Sequence, residues 1–383
     1  MILYKDLTSR IRIILIMTIV SGFVQYSYSQ QTDHYRIVGY VMGSRGNDLS
    51  SIKAAKLTHI NYAFASIING EIAFRYRSPE QEEPLRQNIK KLTDLRKANP
   101  GLKILISVGG WANCAGFSDA ALTPESRELF ARSGIRIIEK FGFDGIDLDW
   151  EYPGQIGGGE VFRPEDKENF SLMLKALRDE FDKTQASYLI TIASGADEEY
   201  FRWTNLGEAQ KYLDFINIMA YDFYSGLSRV SGHHSNLKKT EFSGAIPIST
   251  EIAVERHIKA GVPPEKLVIG VPFYGRFWRG VPETNHGLYQ QGSTAGQYKI
   301  YTELLNNFVN RNTFTRYWDK SASAPYLYSK DSAMVISYDD PESLRLKTNY
   351  VKKNHLGGIM FWEYFGDKSG SLLDTIYSGL KTK

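Results

Sequence analysis

The sequence has a single cysteine, Cys114, among 383 residues. No internal disulfide can form, so the fold depends on the burial of apolar side chains, and 42% of the residues are hydrophobic. A nucleophilic role for Cys114 is conceivable, but a buried or incidental thiol is the favoured interpretation. This composition predicts a globular chain without covalent cross-links.

A strong charge of either sign is also missing. The 46 basic and 43 acidic side chains leave a net charge of +3. Residues 1–29 carry Lys5, Arg10 and Arg12 against Asp6, a net +2, so the rest of the chain is close to +1. This balance gives no electrostatic basis for binding nucleic acid or an anionic surface. We therefore predict no nucleic-acid partner.

The N-terminal apolar run, residues 13–24, is too short to predict a membrane span with any assurance. Basic residues precede it and small residues follow at 27–29, which is the pattern of a secretory signal peptide at residues 1–29. An uncleaved N-terminal anchor is the alternative. Export without disulfides is compatible with a secreted or a periplasmic, cell-envelope enzyme, with no stable membrane insertion after cleavage.

Short apolar segments alternate with segments of helical periodicity along the rest of the chain. Helices are predicted at 85–98, 124–141, 165–181, 250–260 and 343–354. Strands are predicted at 35–40, 59–65, 103–108, 143–153, 189–193, 215–220, 267–275 and 357–362. Eight strands in this alternation predict an α/β protein with a parallel (β/α)8 TIM barrel.

The seventh and eighth predicted strands are separated by about 80 residues, where a barrel needs a single helix. The aromatic content of this stretch argues against a disordered loop. We predict a small α+β insertion domain at 277–340, with the barrel domain formed by 32–276 and 341–383.

The fourth predicted strand carries a stripe of acids. Side chains alternate along a strand, so one face has Ile146, Leu148 and Trp150, and the other has Asp147, Asp149 and Glu151. Desolvating three acids without partners costs several kcal/mol each, so stability does not explain the stripe. Because α/β barrels hold their catalytic groups at the carboxyl ends of strands, we interpret it as catalytic rather than as a solvated face.

Residues 144–151, Asp-Gly-Ile-Asp-Leu-Asp-Trp-Glu, resemble the DGxDxDxE signature of glycoside hydrolase family 18, the chitinases and their relatives. All four acidic positions are present, and the resemblance extends over about residues 32–380. It implies retaining hydrolysis of β-1,4-linked N-acetylglucosamine polymers or oligomers, assisted by the acetamido group of the substrate, through an oxazolinium intermediate. In several members the insertion forms one wall of a deep cleft.

The resemblance also assigns roles to the acids. Glu151 matches the general acid, which later acts as the base, and Asp149 matches the residue that orients the acetamido N–H. Asp147 would share charge or a proton with Asp149. Asp144 falls on the opposite face by parity, and we interpret it as structural, at the entry of the strand.

Two further segments resemble the family pattern. In the segment 219–223, Tyr221 would bind the acetamido oxygen and Asp222 the sugar hydroxyls. Trp362 would form the floor of the subsite for the cleaved sugar, Trp111 a further platform, and Gly110 would give the backbone room. The other positions that align with the cleft, each equally compatible with packing, are Tyr40, Phe64, Met219, Tyr274 and Arg276.

No metal and no organic cofactor is implied. His233 and His234 lack the accompanying His-Glu-x-x-His or cysteine ligands, which favours a hydrogen-bonded loop. The glycine-rich stretch 154–159 lacks the Gly-Lys-Ser/Thr of a phosphate loop and is interpreted as a flexible rim beside Glu151.

Three functions stay open on the sequence. The first is a chitinase acting on chitin or chitooligosaccharides, predicted to be a monomer. The second is an endo-β-N-acetylglucosaminidase acting on N-glycans, and peptidoglycan fragments are a related possibility. The third is a non-catalytic chitin-binding lectin, but such relatives typically lack the catalytic glutamate, whereas Glu151 is present.

Overall fold

A computed structural model describes residues 35–43, 46–75, 79–158, 161–242 and 244–381. The described residues cluster as one compact unit. The signal peptide predicted at residues 1–29 lies outside the described residues. None of the helices in the described ranges combines the length and the apolar character that a membrane crossing requires.

Strands and helices alternate through the described residues. The strands are β1 (Arg36–Met42), β2 (His59–Ile68), β3 (Glu71–Ala73), β4 (Lys103–Gly109), β5 (Gly145–Asp149), β6 (Leu189–Ser194), β7 (Phe215–Ile218), β8 (Leu267–Pro272), β9 (Tyr274–Arg279), β10 (Gln297–Ile300), β11 (Thr315–Asp319), β12 (Ala324–Ser329), β13 (Met334–Ser337) and β14 (Gly358–Trp362). The α-helices are α1 (Glu82–Thr93), α2 (Phe117–Leu122), α3 (Pro124–Phe141), α4 (Asp166–Phe181), α5 (Glu198–Arg202), α6 (Leu206–Ala209), α7 (Thr250–Lys259), α8 (Tyr301–Asn307), α9 (Pro341–Lys353) and α10 (Ser371–Lys381).

Eight parallel strands form a closed barrel, which confirms the predicted (β/α)8 fold. Their order is β1, β2, β4, β5, β6, β7, β8 and β14, and β1 pairs with both β2 and β14 to close the ring. Because all eight strands are parallel, their carboxyl ends meet at one rim. Side chains that follow these ends are therefore brought together.

The two faces of β5 have different surroundings. Ile146 and Leu148 are fully buried in the layer between the barrel and its helices. Trp150 continues this face and stacks on Phe117, with ring centroids 5.1 Å apart. Burying such side chains stabilises the fold by roughly 1.5–3 kcal/mol each. The opposite face, with Asp147, points into the barrel.

The helix before β5 is well delimited by its sequence. Thr123 and Ser126 form a capping box, Pro124 opens the first turn of α3, and Gly142 ends the helix in the left-handed region, at φ 74°. At the start of β5, the carboxylate of Asp144 accepts the Ile104 N–H at 2.8 Å. It also pairs with Arg96 at 2.5 Å and lies 3.6 Å from the Lys103 amine. These contacts support the structural role predicted for Asp144.

A second, antiparallel sheet lies between β8 and β14 in the chain. Its strand order is β10, β9, β13, β12 and β11, and α8 follows β10. The single strand predicted at 267–275 is in fact two strands, because β8 ends at Pro272 and β9 begins at Tyr274 in the other sheet. The domain boundaries at 276/277 and 340/341 stay a prediction.

Candidate active site

Asp147 lies inside the barrel and has no solvent exposure. Its Oδ2 accepts the Tyr40 hydroxyl at 2.7 Å and the Ser107 hydroxyl at 2.8 Å. Its Oδ1 accepts the Thr191 hydroxyl at 2.6 Å and the Asn217 amide at 3.2 Å. Burial raises the pKa of Asp147, while these four donors act in the opposite direction. The four donors fix the position of this carboxyl group, and because burial outweighs them the pKa of Asp147 lies above its ordinary value.

Asp149 ends β5 and has a contrasting environment. Its side chain is 5% exposed, and its Oδ1 has no hydrogen-bond partner among the described residues. Burial, followed by the charges of Glu151 and Asp147, raises the pKa of Asp149 well above its usual range. This buried oxygen is therefore free to bind a polar group of a ligand.

Glu151, two residues further on, is partly buried. Burial raises its pKa to about 7, to which the charge of Asp222 also contributes. Hydrogen bonding to Tyr152 and to the Trp111 backbone lowers it. A carboxylic acid with this pKa holds its proton near neutral pH and can still release it, as general acid catalysis requires.

The turn after β4 supports the backbone of both acids. Cys114 is buried, and its Sγ accepts the Glu151 N–H at 3.2 Å and lies 3.2 Å from the Asp149 carbonyl oxygen. The thiol thus contacts the main chain behind the acids, which favours the structural interpretation of Cys114. Gly109 has φ 107°, and a Cβ there would lie 2.3 Å from the same Asp149 oxygen, so this approach requires glycine.

Tyr221 and Asp222 follow the end of β7. Asp222 has φ 58° and accepts two hydrogen bonds from Arg276, Nε to Oδ1 at 2.7 Å and Nη2 to Oδ2 at 2.5 Å. The His234 Nδ1 lies 3.5 Å from Oδ1. Burial raises the pKa of Asp222, but His234 and Arg276 outweigh it and hold the pKa well below its usual range. Asp222 is therefore an ionised member of the site.

The hydroxyl of Tyr221 faces the same carboxyl groups. Burial raises its pKa well above the usual range, and the charges of Asp149 and Glu151 raise it further. Its ring contacts Tyr274 edge-on at 6.3 Å, and the hydroxyl lies 3.9 Å from the Met360 sulfur. Met219, also predicted in this segment, is partly buried.

Two predicted sugar platforms occur at the ends of β14 and β4. Trp362 stacks on Phe64 with ring centroids 5.6 Å apart and planes at 19°, and it contacts Tyr40 at 5.6 Å. Trp111 is 46% exposed and contacts the Tyr152 ring at 6.5 Å. Tyr40, in contrast, is 1% exposed, and its hydroxyl is bound to Asp147.

Some residues of the site were not predicted. Ser107, Thr191 and Asn217 bind Asp147 from β4, β6 and β7. Each is a polar residue within an apolar strand, and this is the signal that could have identified them. Tyr152, directly after the motif, was also missed. The described residues contain no group of three or more His, Cys, Asp or Glu side chains arranged to hold a metal ion.

A parallel α/β barrel with a proton-holding acid, an ionised partner and aromatic rings at its carboxyl rim is an arrangement typical of the glycoside hydrolase class. The family is identified by comparison with known proteins. Residues 36–367 match the family model described as Glycosyl hydrolases family 18, and the chain belongs to this family.

Individual relatives agree with this assignment. The chain is 36% identical over 432 aligned positions to Chitinase A1 of Niallia circulans, covering 96% of this chain and 62% of that protein, less than two thirds of its length. Among solved structures, a family 18 N-acetylglucosaminidase from Paenibacillus barengoltzii is 41% identical with a TM-score of 0.83, covering 90% of this chain and 99% of its own. The Group IV chitinase of Ostrinia furnacalis in complex with allosamidin is 31% identical with a TM-score of 0.81, covering 90% and 98%.

Proposed function

We propose that the protein is a chitinase that hydrolyses β-1,4-linked N-acetylglucosamine polymers or oligomers with retention of configuration. The observation that carries this proposal is the buried Oδ1 of Asp149, which has no partner among the described residues and lies next to the proton-holding Glu151. A substrate that brings its own N–H donor to this oxygen satisfies it, and the acetamido group is such a donor.

In the first step, Asp149 accepts a hydrogen bond from the acetamido N–H and aligns the group. The acetamido carbonyl oxygen attacks C1, the bond from C1 to the leaving oxygen breaks, and Glu151 transfers its proton to that oxygen. The product is a cyclic oxazolinium ion. Tyr221 binds the acetamido oxygen, and Asp147, which shares charge or a proton with Asp149, supports the positive charge that develops.

In the second step, the Glu151 carboxylate takes a proton from water. The water oxygen attacks C1 from the side on which the leaving sugar was bound, and the oxazolinium ring opens. Two inversions at C1 give net retention. Glu151 therefore needs a pKa close to the working pH, since it acts once as an acid and once as a base.

The aromatic rings and Asp222 account for sugar binding. The faces of Trp362 and Trp111 provide flat apolar surfaces of the type that pyranose rings pack against. Asp222, with 32% of its side chain exposed, still offers acceptor capacity for a sugar hydroxyl beside its pair with Arg276.

A second candidate is an enzyme that releases single N-acetylglucosamine units, since the Paenibacillus barengoltzii neighbour is described as an N-acetylglucosaminidase. The protein is incubated with chitooligosaccharides of two to six units, with an N-glycan and with a peptidoglycan fragment. Mass spectrometry identifies the products, and NMR shows which anomer is released first. We expect β-anomers from chitooligosaccharides. Cleavage of the N-glycan alone would favour the endo-β-N-acetylglucosaminidase.

The Glu151→Gln variant completes this test. We expect it to bind chitooligosaccharides as the wild type does, and to lose turnover by at least about a thousandfold, because Gln cannot donate the proton. Binding without cleavage by the wild type itself would instead identify a lectin. Asp149→Asn should also lose most turnover, and an unchanged rate would contradict substrate assistance.

We also propose that residues 1–29 direct export and that the exported protein is a monomer. Intact mass measurement of protein from the envelope and from the medium gives the cleavage position and separates a secreted protein from an anchored one. Size-exclusion chromatography with light scattering gives the oligomeric state, and a stable dimer would contradict the proposal.

A further inference from the structure

The adjacent histidines that the sequence singled out lie in the loop between β7 and α7, and both are fully buried. Their side chains contact different parts of the protein. The His233 Nε2 lies 3.2 Å from the Asp319 carboxylate at the end of β11. The His234 Nδ1 lies 3.5 Å from the carboxylate of Asp222. The pair therefore links the second sheet to the segment that carries Tyr221 and Asp222.

The main chain of His234 makes the same connection. Its N–H donates to the Ser337 hydroxyl at the end of β13, at 2.9 Å. Its carbonyl oxygen accepts the N–H of Phe223 at 3.2 Å, directly after Asp222. Asp222 itself has φ 58°, a conformation that costs a non-glycine residue roughly 1 kcal/mol and persists only where the surroundings hold it. His234 thus contacts both the backbone and the carboxylate of this segment.

The groups that face the His234 ring are known from the structure. Asp222 and Arg276 lie on one side, Asp339 contributes a negative charge, and the Tyr274 ring packs at 5.3 Å. Burial lowers the pKa of His234, which favours the neutral imidazole, although Asp222 acts against this. With its proton on Nδ1, the neutral ring presents an N–H to the Asp222 carboxylate at 3.5 Å, a charge–dipole contact longer than an ordinary hydrogen bond.

We propose that His234 is a positioning residue of the reaction, which holds the Asp222 carboxylate, and with it Tyr221, in place against Glu151. This inference rests on the proposed function. Arg276 binds the same carboxylate from β9, whereas His234 also binds the backbone of the adjacent Phe223. A displacement of about 1 Å in a catalytic group can cost a hundredfold in rate. Loss of the His234 contact is therefore expected to lower kcat.

The test replaces the ring in two ways. His234→Phe keeps a planar ring but removes the N–H, and we expect kcat to fall about tenfold while KM changes less than threefold. His234→Asn restores an N–H donor near the position of Nδ1 and should recover kcat to within about threefold of the wild type. Failure of Asn to recover any of the loss would overturn the role of the donor.

Thr240→Val is the matched control. Thr240 donates to the same Asp319 that His233 contacts, at 2.9 Å, and makes no contact with Asp222. The variant weakens the link to the second sheet, so its Tm should fall while kcat stays within about twofold. If the kcat of Thr240→Val falls as far as that of His234→Phe, the effect of His234 is general destabilisation and the proposal is wrong.

A double-mutant cycle decides whether His234 acts through Asp222. The kcat of His234→Phe, Asp222→Asn and the double variant is measured on the same chitooligosaccharide. If His234 serves Asp222, the His234 change costs little in the Asp222→Asn background, so the effects are not additive. Additive effects overturn the inference. A wild-type protein that cleaves no chitooligosaccharide refutes the proposed function itself, and His234 then has no reaction to serve.

Discussion

Three acids of similar chemistry, spaced two residues apart, have three different environments. Asp147 accepts four hydrogen bonds, Asp149 has an oxygen without a partner among the described residues, and Glu151 is partly buried with a pKa of about 7. Environment rather than residue type thus separates a carboxyl group held by four donors, an acceptor and a proton donor. The burial of Glu151 and the charge of Asp222 beside it lead to two testable predictions.

The first concerns the pH dependence of turnover. The charge of Asp222 contributes to the raised pKa of Glu151, so Asp222→Asn should lower that pKa. Because the acid has to be protonated, the alkaline limb of the kcat profile should move to lower pH, by about half a unit to one unit. Profiles over about pH 5 to 9 measure this shift. Asp374→Asn, on the outer helix α10, should leave the limb in place, and a shift to higher pH would contradict the assignment.

The second concerns stability. The pKa of Glu151 is about 7 in the fold against a usual value of 4.5, so ionisation of the buried group destabilises the protein progressively as pH rises from 4.5 to 7. Glu151→Gln removes this cost. We expect the variant to be more stable than the wild type by about 1–3 kcal/mol above pH 7 and equal to it near pH 4.

Thermal unfolding at both pH values measures this difference as a Tm increase of a few degrees. Glu128→Gln, on the exposed face of α3, is the control and should not show it. A Glu151→Gln variant that is less stable than the wild type at pH 8 would show that burial does not penalise the carboxylate.

Among the secondary-structure elements, the end of β4 approaches the Phe64 ring on β2 closely. Gly110 has φ 84°, and a Cβ there would lie 2.6 Å from the ring of Phe64, which stacks on Trp362. Gly110→Ala should therefore displace Phe64 and disturb the floor of the proposed subsite. We expect a rise in KM of at least about fivefold and a loss of about 1–3 kcal/mol of stability.

Gly142→Ala is the matched control for this element. Gly142 also has a positive φ, 74°, but no atom lies within 4 Å of the added Cβ. It should lose about 1 kcal/mol of stability through strain alone and keep its KM. Chitooligosaccharide kinetics and thermal unfolding of both variants separate the effect of the contact with Phe64 from that of backbone strain. Equal KM values for Gly110→Ala and Gly142→Ala would contradict the contact with Phe64.

Across the whole molecule, a buried ion pair joins the second sheet to the barrel. Lys347 on α9 has no solvent exposure and donates to the Asp339 carboxylate and to the Ser235 carbonyl oxygen, both at 2.6 Å. Asp339 follows β13, and Ser235 follows the two histidines. Lys347 thus connects α9 with Asp339, which follows the second sheet, and with Ser235 in the loop that contains His234.

Lys347→Met should destabilise the protein by about 3–5 kcal/mol, because it leaves the Asp339 carboxylate buried without its cation. The double variant Lys347→Met/Asp339→Asn removes the unpaired charge and should recover part of this loss. Denaturant unfolding measures both. A single variant with wild-type stability would show that water or another cation reaches Asp339.

The fold was largely predictable because its signals are local. Eight apolar runs alternating with helical periodicity define a parallel barrel, and the caps of α3 are legible at Thr123, Pro124 and Gly142. The seventh strand was predicted too long. Pro272 is a local signal for the end of β8, but it does not show that the chain changes sheets, because strand pairing depends on distant partners.

By itself, the sequence determined the acids of β5, their common face, and the family that their spacing indicates, because the period of two along a strand is a property of the backbone alone. Only the tertiary structure decided which acid is charged. The donors of Asp147 come from four other strands, the pKa of Glu151 depends on burial and on Asp222, and His234 reaches Asp222 through a loop. Protonation follows from distances and desolvation, which exist only once the chain has folded.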